Sequence, residues 1–138
     1  MKTHTSKILI DKANGLKFTE SPRWRDGKLW FLDIHDNRIK SVDLSGVLET
    51  VVELPFIPNA FGFRRDGSIL VGDALLRQIY RWDGKALQLL ANLADITRFC
   101  LSDGIVDGRE VQGVPAPATA TSITRSVALG DWAILAGS

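Results

Sequence analysis

The chain contains very little cysteine, and this scarcity limits the kinds of site it can build. Cys100 is the only cysteine among the 138 residues, so no internal disulfide can form and a zinc site made of several thiolates is excluded. Because Cys100 lies between Phe99 and Leu101, we expect it to be a small buried hydrophobic side chain. Any ligand site must therefore rely on oxygen and nitrogen donors.

The chain also lacks an excess of charge of either sign. Its 17 Lys and Arg residues nearly balance 16 Asp and Glu residues, and the formal net charge is +1. No basic run stands out, so the sequence lacks the positive potential that attracts nucleic acids and anionic membrane surfaces. We expect neither nucleic acid nor a membrane among its partners.

Long hydrophobic runs are missing as well. The N-terminal run Ile8-Leu9-Ile10 is too short for the core of a signal peptide and far too short to span a bilayer. We therefore predict a cytoplasmic location. The sequence also contains no Gly-x-Ser-x-Gly, no His-Glu-x-x-His and no phosphate-binding glycine loop, so three common kinds of catalytic or nucleotide site are not indicated.

What the sequence does contain is an internal repeat. Residues 25–29, Arg-Asp-Gly-Lys-Leu, return 40 positions later as residues 65–69, Arg-Asp-Gly-Ser-Ile. Three further residues return at the same offset, as the pairs Asp33 and Asp73, Ile39 and Ile79, and Asp43 and Asp83. A period of about 40 residues, with Asp-Gly turns followed by short apolar runs, is typical of β-propeller blades. The sequence therefore predicts an all-β fold made of four-stranded antiparallel sheets.

The repeat divides the chain into blades. We predict a partial propeller over residues 1–113, with one blade at about 16–55, a second at about 58–93 and the start of a third at about 101–113. The expected strands lie near 17–25, 28–33, 38–43 and 47–54 in the first copy, and near 60–65, 68–73, 78–83 and 86–92 in the second. Residues 114–138 begin with a Pro-, Ala- and Thr-rich stretch and contain no Asp-Gly turn. We expect an irregular tail there, outside the repeat, and interpret it as the product of truncation or of a changed reading frame.

Three polar residues occupy corresponding places at the start of the first strand of each copy. Glu20, Asn59 and Ser102 each precede the turn glycine of their copy by a similar distance. First strands of propeller blades line the central channel, and a ring of carboxylate, amide and hydroxyl oxygens there would suit calcium. Each residue also has a simpler interpretation. Glu20 is as well explained as a turn or strand-end residue. Asn59 follows Pro58 as in an ordinary turn pair, and the Ser102 hydroxyl is typical of a turn.

Several segments resemble a known family. The SMP-30/gluconolactonase/LRE-like family has an opening motif that Leu16–Trp24 resembles. Its second blade is similar to Pro58–Phe63, and its Asn-Asp-Gly or Asn-Asp-Met segment is similar to Ser102–Asp107. The resemblance covers about residues 8–113. It implies a six-bladed propeller of roughly twice this length, of which this chain supplies about two and a half blades. It also implies hydrolysis of small sugar lactones with a divalent metal ion, calcium being the first candidate and zinc or manganese the alternatives.

The resemblance further implies roles for individual residues. Glu20 matches a metal ligand of the family. Ser102 stands where the family has an asparagine at the position of the substrate and the metal-bound water, and Asp103 and Asn59 are further substrate-binding candidates. The family's catalytic Asp and a second metal ligand, an Asn, come from later blades beyond this chain, so the catalytic residue here is unknown. In such enzymes the cation polarises the lactone carbonyl while a carboxylate takes the proton of the attacking water.

Two functions are compatible with these observations. The first is a metal-dependent hydrolase of a small lactone, in a truncated form with little activity of its own. The second is a non-catalytic β-repeat fragment that acts as a binding or assembly module. Two and a half blades would leave sheet edges unpaired, which favours self-association.

Overall fold

The chain folds into β-sheets that follow the repeat. The structure is a computed structural model, and it describes residues 2–98, 100–106, 125–129 and 132–136. In these ranges eleven strands form three antiparallel sheets, and the helical residues are confined to two short 3-10 helices. The predicted all-β fold is confirmed. The chain divides into two compact units, Met1–Glu53 and Leu54–Ser138.

The first unit contains one four-stranded sheet built from the first repeat copy. Its strands are β1 (Thr19–Arg25), β2 (Lys28–Asp33), β3 (Arg38–Asp43) and β4 (Leu48–Glu53), paired in chain order. The 3-10 helices are Lys12–Asn14, before β1, and Ile34–Asp36, between β2 and β3. Asp26 and Gly27 join β1 to β2 with φ angles of 51° and 73°. A tight hairpin with two positive φ angles is the turn that an Asp-Gly pair favours. This dipeptide therefore explains the turn between the two strands.

The second copy forms an equivalent sheet in the second unit. Its strands are β5 (Pro58–Phe63), β6 (Ile69–Asp73), β7 (Gln78–Trp82) and β8 (Leu87–Asn92), again paired in chain order. In both sheets the predicted strands are confirmed to within two residues at each end. Strand β6 is buried along its whole length, as expected for an apolar run covered on both faces. Its Leu70 belongs to a buried cluster with Ala60, Ile79, Leu93 and Leu101.

The third sheet has three described strands and corrects one expectation. The strands are β9 (Leu101–Val106), β10 (Arg125–Leu129) and β11 (Trp132–Ala136), and β11 lies between the other two. We expected an irregular tail, but β10 and β11 are regular paired strands within it. The sequence signal was the dipeptide Gly-Asp at positions 130 and 131, which in a sequence favours a hairpin between two strands just as the reverse order, Asp-Gly, does. Residues 107–124 lie outside the described residues, so the rest of the third copy and of the tail stays a prediction.

The structure also corrects the expectation for Cys100. Its side chain is exposed, whereas the neighbouring Leu101 is fully buried. The core position is filled by Leu101 and not by Cys100, and composition alone does not tell which of the two residues takes it. Among the described residues, no helix is long and apolar enough to cross a membrane.

Candidate functional site

The three polar residues predicted at the start of first strands share a structural feature that spacing did not reveal. Glu20, Asn59 and Ser102 lie on β1, β5 and β9, and each of these strands lies at one of the two edges of its sheet among the described strands. In each strand the pairing register shifts at or next to the candidate residue. A β-bulge of this kind bends an edge strand and redirects a side chain, and such bulges are frequent beside binding sites.

Glu20 immediately precedes the bulge of β1. It pairs with Leu32, and regular pairing resumes only at Arg23. Ser21, inside the bulge, has a φ of 54°, a strained value for a residue with a side chain. The following Pro22 has no N–H to offer to a strand ladder. The bulge is therefore encoded locally, and it leaves the Glu20 side chain exposed.

Glu20 borders a mainly apolar cleft within the first unit. The cleft has a volume of about 250 Å³, and its lining includes Ile10, Leu16, Leu29 and Phe31 beside Glu20. A concave apolar surface with one charged group suits the orientation of a small ligand. This volume is slightly below the range of about 300–1,000 Å³ that is usual for small-molecule sites, so the cleft suits only a compact ligand.

Asn59 and Ser102 occupy bulges that the structure brings next to each other. Asn59 is the unmatched residue between two pairs of the β5–β6 ladder, and Ser102 is the unmatched residue in the β9–β11 ladder. The side-chain Nδ2 of Asn59 donates a hydrogen bond of 2.6 Å to the carbonyl oxygen of Leu101, the residue directly before Ser102. One of the two N–H donors of the Asn59 side chain is thus used by the backbone, and Oδ1 is its atom that could ligate a cation.

The side chain of Leu101 also holds the start of β9, through apolar contacts. Its side chain is completely buried in the cluster around Leu70. A Cβ atom added at Gly72 would lie only 3.2 Å from Cδ1 of Leu101, so the glycine provides the space that the leucine occupies. The tether from Asn59 and the apolar contact together set the position of the bulge at Ser102.

A group of charged residues holds the segment that leads into β1, and sequence analysis did not assign it a role. The buried carboxylate of Asp33 accepts hydrogen bonds from the backbone N–H groups of Lys17 (3.1 Å) and Phe18 (2.8 Å). Its other oxygen lies 2.7 Å from Nζ of Lys40, and the same Nζ lies 2.7 Å from Asp36. The only sequence signal was the return of Asp33 as Asp73, which indicated importance without naming a partner.

These contacts keep all the groups of the cluster charged. Burial alone would raise the pKa of Asp33, but the hydrogen bonds from the Lys40 ammonium and from the backbone of Phe18 and Lys17 outweigh it, and the pKa is lowered. The pKa of Asp36 is lowered chiefly by Lys17 and then by Lys40. Burial would lower the pKa of Lys40, yet its two carboxylate partners raise it. The cluster therefore does not exchange protons near neutral pH, and it serves to hold the chain entering β1.

The comparison with family models matches this architecture. The model of the SMP-30/gluconolactonase/LRE-like region matches residues 18–121, about three quarters of the chain. The chain belongs to the SMP-30/gluconolactonase/LRE-like family. No curated protein matches the chain. The family match begins at the residue before β1 and includes all three bulge positions.

The donors of this family member do not by themselves fit the divalent metal that the resemblance implies. Among the described residues, no three His, Cys, Asp or Glu side chains come together. Glu20 supplies one exposed carboxylate, whereas calcium takes about six to eight oxygen ligands. The assignments of Glu20 to metal and of Asn59, Ser102 and Asp103 to substrate stay predictions.

Proposed function

We propose that this chain is part of a hydrolase of small, sugar-type lactones and that the 138 residues alone have little or no activity. The observation that carries the proposal is the family match over residues 18–121. The position of Glu20 supports it, because the side chain is exposed at a bulge beside a cleft of about 250 Å³. The low expected activity follows from the donor set, since one carboxylate does not hold a divalent cation firmly.

Within this proposal the candidate residues have separate tasks. Glu20 is one ligand of a divalent cation, with calcium the first candidate and zinc or manganese the alternatives, and further donors must complete the site. Ser102 and Asp103 on β9 and Asn59 on β5 contribute to substrate binding. The hydrogen bond between Asn59 and Leu101 supports a common location for these three residues, because it joins their two strands.

The test is lactone hydrolysis and metal binding by the purified chain. Hydrolysis of a sugar lactone is followed with and without calcium, zinc or manganese, and calcium binding is measured by titration calorimetry. We expect hydrolysis at the background rate and weak calcium binding that Glu20→Gln weakens further. Glu49→Gln, which changes another exposed carboxylate of the same sheet, is the matched control and should bind like the unchanged chain.

Two results would decide against parts of the proposal. Strong metal-dependent turnover that is lost in Glu20→Gln but kept in Glu49→Gln would show that the 138 residues already form a working site. Equal calcium binding by the unchanged chain and by Glu20→Gln would remove Glu20 from the metal site.

An alternative function is a non-catalytic module that binds or assembles through its sheets. The observation that favours it is the exposed apolar surface of the outer strand β8, where Leu89 and Leu90 are more than half exposed. An assembly module would show no hydrolysis with any metal and a Glu20→Gln variant indistinguishable from the unchanged chain.

A further inference from the structure

The outer strands β4 and β8 are equivalent position by position. The ladders between β3 and β4 and between β7 and β8 have the same register and the same bulge, so the residues of one strand can be matched to those of the other. The match pairs Glu49 with Gln88, Thr50 with Leu89, Val51 with Leu90 and Glu53 with Asn92. The two strands therefore form an internal comparison, in which one backbone arrangement carries two different sets of side chains.

The first difference between the strands is charge. In β4, Glu49 forms an ion pair with Lys28, and Glu53 lies 3.1 Å from Arg38. In β8 both acids are replaced by amides, and the strand Leu-Gln-Leu-Leu-Ala-Asn has no charged residue. Charged side chains on an edge strand discourage pairing with another chain. Strand β4 has this protection and β8 lacks it.

The second difference is exposed apolar surface. Leu89 and Leu90 are 56% and 52% exposed, and they stand where β4 has a threonine and a valine. In the part of the chain that the structure describes, β8 pairs with β7 alone. The two exposed leucines are neighbours on an uncharged outer strand, at the bulge where Leu90 is unmatched, and exposed apolar surface of this kind is a candidate protein contact site.

We propose that β8 is the surface through which two copies of this chain associate. The occupant is a second copy because an uncharged strand meets its own copy without like-charge repulsion, whereas it offers no charge to attract a different, charged partner. Around a two-fold axis between Leu89 and Leu90, the leucines of both copies meet at the centre and the amides of Gln88 and Asn92 flank them. The net charge of +1 adds little long-range repulsion between copies.

The geometry also sets the strength of this association. The bulge at Leu90 interrupts the hydrogen-bonding edge, so a long continuous ladder between copies does not form. One six-residue strand covers much less area than a standard protein interface. The dimer is therefore weak and depends on concentration, and it is independent of the proposed hydrolase activity.

The first experiment measures molar mass by sedimentation velocity over a range of concentrations. We expect the mass to rise from the 15.2 kDa of one chain towards twice that value. Leu89→Lys should stay at the mass of one chain, while Thr50→Lys, the same change at the matching position of β4, should associate like the unchanged chain. A monomer at every concentration, or a Leu89→Lys variant that associates normally, would overturn the proposal.

A second variant keeps the test decisive if Leu89→Lys does not fold. The double change Gln88→Glu and Asn92→Asp gives β8 the two acidic positions of β4 and leaves every leucine in place. At low salt we expect the dissociation constant to rise at least about tenfold, with recovery near 1 M salt, where charges are screened beyond about 3 Å. Circular dichroism and the thermal unfolding midpoint confirm folding. Unchanged association at low salt would contradict a contact through β8.

Discussion

At the scale of single residues, one repeated carboxylate serves two purposes. Asp73 accepts hydrogen bonds from the backbone N–H groups of Leu75 and Leu76, at 2.9 and 3.0 Å, and so closes the turn that follows β6. Asp33, at the same place in the first copy, instead accepts from Lys17 and Phe18, which precede it by a whole hairpin. The same residue type at the same repeat position thus stabilises a local turn in one sheet and a distant segment in the other.

The difference between the two copies depends on a residue that the repeat does not conserve. Lys40, which pairs with Asp33, stands where the second copy has Tyr80. Spacing in the sequence predicted where the carboxylates would return, but a hydrogen-bond partner far along the chain is chosen by tertiary packing. This is why the sequence revealed Asp33 as a repeated residue and missed its role in holding the chain that enters β1.

We predict that Lys40→Met strongly destabilises the first unit. The ammonium of Lys40 and the carboxylate of Asp33 are only 6% and 0% exposed, so the substitution leaves a buried charge without its cation. Removing one partner of a buried ion pair costs about 3–5 kcal/mol. Urea unfolding followed by tryptophan fluorescence measures the loss.

The control for this prediction is Lys28→Ala. Lys28 pairs with Glu49 in a contact whose side chains are 35% and 52% exposed, and exposed pairs contribute less than about 1 kcal/mol. A Lys40→Met variant that loses no more stability than Lys28→Ala would show that the buried pair does not stabilise the fold.

At the scale of strands, turns and apolar runs were predictable and bulges were not. Each Asp-Gly turn and the apolar run after it depend on neighbouring residues, so the strands of the first two sheets lie within two residues of their predicted ends. A bulge depends on how a strand pairs with its neighbour, and one sequence gives no direct measure of that register. The positions of Glu20, Asn59 and Ser102 were therefore predicted along the chain, while their shared bulge geometry came only from the structure.

We predict that Asn59→Ala loosens the start of β9. The substitution removes the donor to the Leu101 carbonyl, and an unsatisfied buried acceptor costs about 1–3 kcal/mol. Hydrogen exchange should become faster at the amides of β9, while the amides of β2 in the other unit should keep their rates. Gln88→Ala, which shortens an exposed amide of β8, is the control and should change stability by less than about 0.5 kcal/mol. Unchanged exchange in β9 would mean that the apolar packing of Leu101 alone holds the strand.

At the scale of the whole molecule, the two compact units are stabilised differently. Both units bury apolar side chains, such as Leu32 and Ile39 in the unit Met1–Glu53 and the cluster around Leu70 and Leu101 in the unit Leu54–Ser138. The first unit also buries the ion pair of Asp33 and Lys40. Carboxylates in exposed or half-exposed turns occur in both units and have lowered pKa values. The main cause of the lowered pKa is a hydrogen bond in each case. The donor is the Ser45 hydroxyl for Asp43, the Ser68 hydroxyl for Asp66 and the backbone N–H of Ala86 for Asp83.

This contrast predicts that acid destabilises the first unit before the second. The pKa values of Asp33 and Asp36 are lowered in the folded state, so the unfolded state binds more protons in acid. Their contribution to stability is therefore complete above the ordinary carboxyl pKa of about 4 and is lost as the pH falls through the folded values. Protonation of the turn carboxylates also lowers the free energy of unfolding of both units. This loss is small, because exposed charge contacts contribute little.

The difference between the units is measurable by nuclear magnetic resonance during a titration from pH 7 to pH 2. The amide signals of β2 and β3 should disappear at a higher pH than those of β6 and β7, because protonation of Asp33 removes one of the two carboxylate partners of the buried Lys40 ammonium. In Lys40→Met the first unit is already weaker at pH 7, and its further loss in acid should be smaller, since the ion pair that acid would break is absent. Loss of β6 and β7 first, or an unchanged acid response in Lys40→Met, would show that acid stability is set by the exposed turn carboxylates and not by the buried pair.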